Sequence, residues 1–245
     1  MRTLGIVQAR MGSSRLPGKV LRRLGGRTVL QRVVRAARDS GAVDDLVVAT
    51  TVEPPDDAVV AECAAIGVAC HRGPVDDVLT RFLGVLDGTG RPQPDAVLRF
   101  TADCPLLDPQ VVALAAAVFA AAPDADYLST SIARTLPRGL DAEIVRTPVL
   151  RAVDELARDH HRTHVTSYVY THPERFRVLG LTLQPDLSHL RLTLDTEEDW
   201  QLIEAIVGHF GDRPAPVRTL ARWLADRPDL AVLNAHVQQK ALVQA

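Results

Sequence analysis

Arg10, Arg15 and Lys19 fall within one short stretch, Arg10-Met11-Gly12-Ser13-Ser14-Arg15-Leu16-Pro17-Gly18-Lys19. Cations set this close together grip phosphate oxygens, arginine through a planar fork of donors and lysine as a compact point charge. Gly12, Ser13 and Ser14 carry little side chain, so their backbone N–H groups can approach the same anion. The stretch follows the apolar run from Leu4 to Ala9, which reads as a buried strand emptying into a loop. These features predict a polyphosphate cradle at the carboxyl end of the first strand. A helix is expected to follow directly and to aim its N-terminal dipole at the anion. Spacing excludes two other phosphate loops. A P-loop has four residues between its glycines and Ser or Thr after the lysine, but here five residues separate Gly12 from Gly18 and Val20 follows Lys19. The three glycines of a dinucleotide fingerprint are missing near this strand.

Two carboxylates could complete such a site. Asp103 follows the apolar Val97-Leu98-Arg99-Phe100 and precedes Cys104-Pro105; Asp195 follows Arg191-Leu192-Thr193-Leu194. Asp103 alone could simply end a strand, and Asp195-Thr196-Glu197-Glu198 is good chemistry for starting a helix. Together, beside a phosphate cradle, they would hold Mg²⁺, a hard cation that takes oxygen ligands and bridges to phosphates. His160, His161 and His164 lack the glutamate of the zinc-protease pattern and read as surface, substrate or interface histidines. Cys104 has no evident base and reads as a small apolar residue, and Asp76-Asp77 as a helix start.

The elements that must position these groups alternate. Strands are expected over Leu46–Thr51, Val68–His71 and Ala96–Phe100, and helices from Val29 to near Gly41 and over Asp57–Ile66 and Asp76–Leu86, with a loop over Gly88–Pro94. Asp108 caps a helix whose first residue is Pro109. Further on, strands are expected over Ala125–Ser129, Glu143–Val145, Phe176–Thr182 and His189–Leu194. Helices are expected over Thr147–Asp159, Glu197 to about Gly208, Val217–Ala225 and Leu233–Val243. Alternating strands and helices imply an α/β fold with a mostly parallel sheet covered on both faces, where ligands bind beyond the carboxyl ends of the strands. The reading is of one domain over residues 1–245, with 211–245 as a helical C-terminal extension.

Composition sets the outer limits. The 245 residues are 47% hydrophobic with net charge −2, enough for a full α/β core and too balanced to attract nucleic acid broadly. An aromatic content of 4% also argues against base-stacking platforms. Cys63, Cys70 and Cys104 form no C-x-x-C pair and no even set, which points to a reducing cytoplasm. Without a membrane-length apolar stretch or a signal-peptide core, no membrane partner is expected.

The segment Gln8 to Leu21 (Q-A-R-M-G-S-S-R-L-P-G-K-V-L) resembles the cytidylyltransferases that activate acidic sugars, such as 3-deoxy-manno-octulosonate cytidylyltransferase, and is most similar to their spore coat polysaccharide branch. Arg72-Gly73 with Asp76-Asp77-Val78-Leu79, Thr101 to Leu107, Pro137 to Glu143, His164-Val165-Thr166 and Arg191 to Asp199 follow in family order. The resemblance implies a three-layer, Rossmann-like nucleotide-diphosphosugar-transferase fold, CTP as donor, Mg²⁺ and a homodimer. By position, Arg10, Ser13, Arg15 and Lys19 would hold the triphosphate, with the small Gly12 and Ser14 letting the backbone reach the same nucleotide. Gln8, Ala9, Arg72 and Thr101 would lie near base and ribose, and Asp103 and Asp195 would hold the metal. Arg138, Asp141 and His164 would face the acceptor or a dimer contact. Ala102 stands where Gly is usual, Thr163 where Glu is usual and Ser167 where Pro is common, which leaves the acceptor open among acidic sugars, sugar phosphates and phosphonates. The activity implied is CMP transfer from CTP with release of pyrophosphate. Transfer from UTP or GTP, and a non-catalytic nucleotide-binding protein on the same scaffold, are the alternatives.

Overall fold

The computed structural model describes residues 1–88 and 92–239. The chain opens with β1 (Thr3–Gln8), whose Leu4, Ile6 and Val7 are almost completely buried. A two-stranded hairpin, β2 (Arg23–Leu24) and β3 (Arg27–Thr28), leads into α1 (Val29–Asp39). Then come β4 (Asp45–Thr51), α2 (Asp57–Ala65), β5 (Ala69–Gly73), α3 (Val78–Gly88), β6 (Ala96–Thr101) and α4 (Pro109–Ala120). The second half holds β7 (Tyr127–Ser129), β8 (Glu143–Arg146), α5 (Thr147–Leu156), α6 (His160–Thr163), α7 (Ser167–Thr171) and β9 (Val178–Gly180). It closes with α8 (Glu197–Phe210), α9 (Val217–Ala225) and α10 (Pro228–Ala231).

Among the described residues the main sheet has seven strands in the order β5-β4-β1-β6-β8-β7-β9. β4 and β6 flank β1 in parallel and β8 runs antiparallel to both β6 and β7. The chain moves outward from β1 through β4 to β5, then returns to β6 on the other side of β1. That reversal opens a crevice at the carboxyl end of β1. The alternation of strand side chains builds two cores. Val7, Val48, Leu98 and Phe100 pack against α1, α2, α4, α8 and α9 on one face. Leu4, Ile6, Val47 and Val97 pack against α3, α5 and α7 on the other. The α/β, three-layer expectation is therefore met, with β8 as the antiparallel departure.

Local differences have local causes. No helix follows the cationic loop directly. A 3-10 turn at Lys19–Leu21 and the hairpin intervene, because Thr28 and Gln31 form the capping box that starts α1 only at Val29. Charge at the loop thus comes from side chains rather than from a helix opening there. His189–Leu194 is not a strand: among the described residues it makes one isolated bridge, Arg138 to Arg191. Its apolar alternation reports instead the burial of Leu192 and Leu194. The helix expected to reach Asp159 ends at Leu156, where Ala157 turns extended and Asp159 takes φ 50°. Leu233 to Gln239 is turn and irregular chain rather than helix; residues 240–243 of that expectation, and 89–91 of the Gly88–Pro94 loop, lie outside the described residues. Among the described residues no helix is long and apolar enough to cross a membrane.

Candidate active site

Gln8 is the last residue of β1, and Ala9 stays tied to the sheet by donating its N–H to the Ala49 carbonyl at 3.1 Å. The chain then leaves as a loop closed upon itself, Gly18 N–H donating to Met11 O at 3.0 Å. Gly18 takes φ 68°, a conformation that side chains disfavour, and so turns the chain back for Lys19. Inside the loop, Leu16 N–H donates to Ser13 Oγ at 3.4 Å. Arg10, Gly12, Ser14 and Arg15 stay exposed. A residue that sequence reasoning missed anchors the whole loop. Asp56, 2% exposed, accepts from Met11 N at 2.7 Å, from Thr51 N at 3.1 Å and from the Thr51 hydroxyl. Burial would raise this carboxyl, but the Met11 and Thr51 hydrogen bonds prevail and hold it below the usual carboxylate range. The signal available was Pro54-Pro55-Asp56, separated from the end of β4 by two residues.

Lys19 points inward, and three oxygens meet its ammonium. Nζ donates to Asp103 Oδ2 at 3.1 Å, Asp195 Oδ1 at 2.8 Å and the Leu194 carbonyl at 2.7 Å. Arg15 NH2 lies 3.3 Å from Asp195 Oδ2. Burial pushes Lys19 toward the neutral form, yet the two carboxylates outweigh it and raise the lysine above its ordinary value. Burial likewise favours a protonated Asp103, but Lys19 and the Thr101 hydroxyl bring it below its ordinary value. Both charges are therefore present at neutral pH. Asp103 is placed by the turn after β6, and Leu194 N–H donates to its carbonyl at 2.8 Å, joining the two carboxylate-bearing segments.

Asp195 is held from behind. Arg191 NH2 donates to its Oδ2 at 3.0 Å, and Arg191 in turn grips the fully buried Asp199 through Nε at 2.8 Å and NH2 at 2.9 Å. Arg191 and Asp199 were not singled out as site residues, although the Thr196-to-Asp199 capping box that starts α8 is written in the sequence. Also unforeseen is a polar network beneath Gln8: Arg99 Nε donates to Gln8 Oε1 at 3.2 Å and NH1 to Glu143 at 2.6 Å. Arginine offers only donors, so the Gln8 carbonyl oxygen faces it. Tyr127 and Thr166 hydroxyls add donations to Glu143 at 3.1 and 2.6 Å.

The other expected residues lie around this centre. Thr101 pairs with Gln8 across β6 and β1, its hydroxyl 3.1 Å from Cys104 Sγ. Arg72, on β5, is folded onto the rim: it donates to Thr51 O, Glu53 O and Asp57 Oδ1. Arg138 is bridged through its backbone to Arg191; burial lowers its affinity for a proton, and neighbouring Arg134 adds to that. Asp141 accepts from Arg134 at 2.6 Å, but burial prevails and raises its carboxyl. His164 ends α6, its N–H donating to His160 O at 3.0 Å, with Val165 beyond it at φ 44°. Arg15, Lys19, Asp103 and Asp195 thus meet, while Arg72 and His164 belong to separate walls.

A divalent cation fits the two aspartates. The ammonium seated between Asp103 and Asp195 shows that their oxygens converge on one positive charge. Among the described residues no group of three or more His, Cys, Asp or Glu is arranged to hold a metal. Two carboxylates with the remaining positions left to substrate oxygens is how magnesium is commonly held.

Comparisons with known proteins agree with this architecture. A family model described as cytidylyltransferase matches residues 4–222. An uncharacterized protein of Methanocaldococcus jannaschii is 34% identical over 249 residues, covering 98% of each chain. The spore coat polysaccharide biosynthesis protein SpsF of Bacillus subtilis is 34% identical over 238 residues, covering 93% of this chain and 96% of its own. A solved cytidylyltransferase from Leptospira borgpetersenii superposes with TM-score 0.89 at 29% identity, covering 98% of this chain and 99% of that one. A cation-rich loop closing on two aspartates thus sits in a fold shared nearly end to end, and the chain belongs to the cytidylyltransferase family of nucleotidyltransferase enzymes.

Proposed function

We propose that the protein transfers CMP from CTP to an anionic acceptor, an acidic sugar, sugar phosphate or phosphonate, releasing pyrophosphate. The observation that carries this reading is the meeting of Arg15 and Lys19 with Asp103 and Asp195 at the carboxyl end of β1. Phosphoryl transfer depends on positioning and charge neutralisation more than on covalent help from protein. Arg10, Ser13, Ser14 and Arg15, with the N–H groups around Gly12, bind the β- and γ-phosphates and so stabilise the leaving pyrophosphate. Lys19, expected on the triphosphate, gives its ammonium to Asp103, Asp195 and the Leu194 carbonyl; it keeps the two carboxylates close together and spares them mutual repulsion. Gln8, Ala9, Arg72 and Thr101 line the base and ribose side. Mg²⁺ held by Asp103 and Asp195 would supply charge neutralisation at the phosphate oxygens.

The acceptor oxygen attacks the α-phosphorus as the bond to the β-phosphate oxygen breaks. An acceptor phosphate, phosphonate or carboxylate would be drawn to Arg138 and excluded from Asp141. His164 would face the acceptor or a dimer contact. A phosphate or phosphonate oxygen arrives already ionised and needs no base. The reading extends to a cytoplasmic homodimer. Its test is a pyrophosphate-release screen of CTP, UTP, GTP and ATP against the three acceptor classes with magnesium. Release with CTP and one anionic acceptor class is expected; release with UTP or GTP alone, or none with any pair, contradicts it.

A further inference from the structure

Asp199 is the third residue of α8 and is fully buried. A buried carboxylate is costly unless donors surround it. Arg191 supplies two, and the N–H groups of Asp195 and Thr196 reach Oδ2 at 2.9 and 3.1 Å. Another comes from far along the chain: Asn234 Nδ2 donates to Asp199 Oδ1 at 2.8 Å and to the Arg191 carbonyl at 3.0 Å. Asn234 is 2% exposed, although it stands in the turns after α10, beyond the residues 4–222 that the family model matches. Further on, the exposed Gln239 offers its Oε1 to Arg191 NH1 at 3.0 Å.

These contacts of the C-terminal segment fall on Arg191 and on Asp199, the carboxylate that Arg191 grips, and that arginine holds Asp195. The segment is not a solid piece of core: it walls a cavity of about 250 Å³ lined by Arg138, Arg191, Leu202, Leu224, Asn234 and Gln239. Carboxylates that receive a cation are oriented by hydrogen-bond partners behind them, and removing such partners weakens metal binding. We infer that Asn234 and Gln239 are positioning residues for Asp195. By fixing Arg191 against Asp199 they aim the Asp195 carboxylate at the divalent cation. The C-terminal segment thereby sets metal affinity from outside the residues that make up the family core. This rests on the reading of Asp103 and Asp195 as the metal pair.

The test uses the full chain as wild type, Asn234→Ala, Gln239→Ala, Gln239→Glu and Asp195→Asn. Mn²⁺ binding in the presence of CTP is followed by the electron paramagnetic resonance of free Mn²⁺, alongside thermal melts. Asn234→Ala is expected to raise the Mn²⁺ dissociation constant about tenfold or more and Gln239→Ala about threefold. The Mg²⁺ needed for half-maximal pyrophosphate release should rise by the same factors. Gln239→Glu, which keeps an oxygen for Arg191, should return the wild-type value. Folded alanine variants that bind Mn²⁺ as wild type does, even with lowered melting temperature, overturn the inference alone. If Asn234→Ala does not fold, Gln239→Ala at its exposed position decides. Wild type without CTP-dependent Mn²⁺ binding, or Asp195→Asn binding as wild type does, overturns the metal reading and this inference with it.

Discussion

Lys19 is 8% exposed, and an isolated ammonium that deep would tend to lose its proton. Asp103 and Asp195 reverse that tendency, so a cation stays wedged between two carboxylates that would otherwise repel. Lys19→Met removes the cation that Asp103 pairs with and leaves Asp195 to Arg15 and Arg191. We expect pyrophosphate release to fall by roughly a thousandfold, with a stability loss on the order of 1–3 kcal/mol because both aspartates keep some solvent contact. Kinetics at saturating CTP together with urea unfolding check both numbers. Asp56 makes the pH argument. Its folded carboxyl lies below its usual range, so its stabilising contribution is complete above the unfolded value of about 4 and is lost as pH falls through the folded value. Asp56→Asn should therefore be less stable than wild type at pH 7 by about 1–3 kcal/mol, with the gap closing below about pH 4. A gap unchanged between pH 7 and pH 3 in urea titrations would refute this assignment.

Among the elements, the turn from Pro137 to Asp141 and the segment carrying Asp195 depend on each other. Arg138 N–H donates to Leu190 O at 3.1 Å and Leu192 N–H to Arg138 O at 2.7 Å. Gly139 takes φ 101°, and a Cβ there would stand 2.5 Å from Thr193 N and 2.6 Å from the Leu192 carbonyl. Backbone must move to admit it, and that backbone leads straight to Asp195. Gly139→Ala should cost about 2 kcal/mol or more and cut turnover at least tenfold while Lys19 and Asp103 remain unchanged. A variant with wild-type melting and kinetics would show that the turn is not coupled to the site. The same region marks where sequence reading stopped. β1, β4, β6, α4 and α9 were legible because their apolar periods and caps are local. His189–Leu194 misled because it alternates like a strand while its partners are a glycine turn and the loop at Asp103. Leu233–Gln239 misled because Asn234 is pinned to residues that the chain meets only after folding.

For the molecule as a whole, the reversal of strand order beside β1 brings the loop after β1 and the turn after β6 to one crevice, and the link from Leu194 to Asp103 adds the distant Asp195. The cradle could be read beforehand because its cations are neighbours in sequence, and Asp103 because it ends a strand. Asp56, Arg99, Glu143 and Asn234 could not, since each acts through a partner remote in sequence; Arg191 was missed although Asp195 and Asp199 stand only four and eight residues further on. The near-zero net charge fits a site where positive charge is concentrated in one loop rather than spread over a surface. The central claim is that this loop and the aspartate pair form a single CTP and metal site. A crystal structure with CTP and magnesium bound tests it most directly. The account predicts the triphosphate against Arg10, Ser13, Ser14 and Arg15, with the ion on Asp103 and Asp195; a nucleotide lodged elsewhere, or aspartates turned away from the ion, would contradict it.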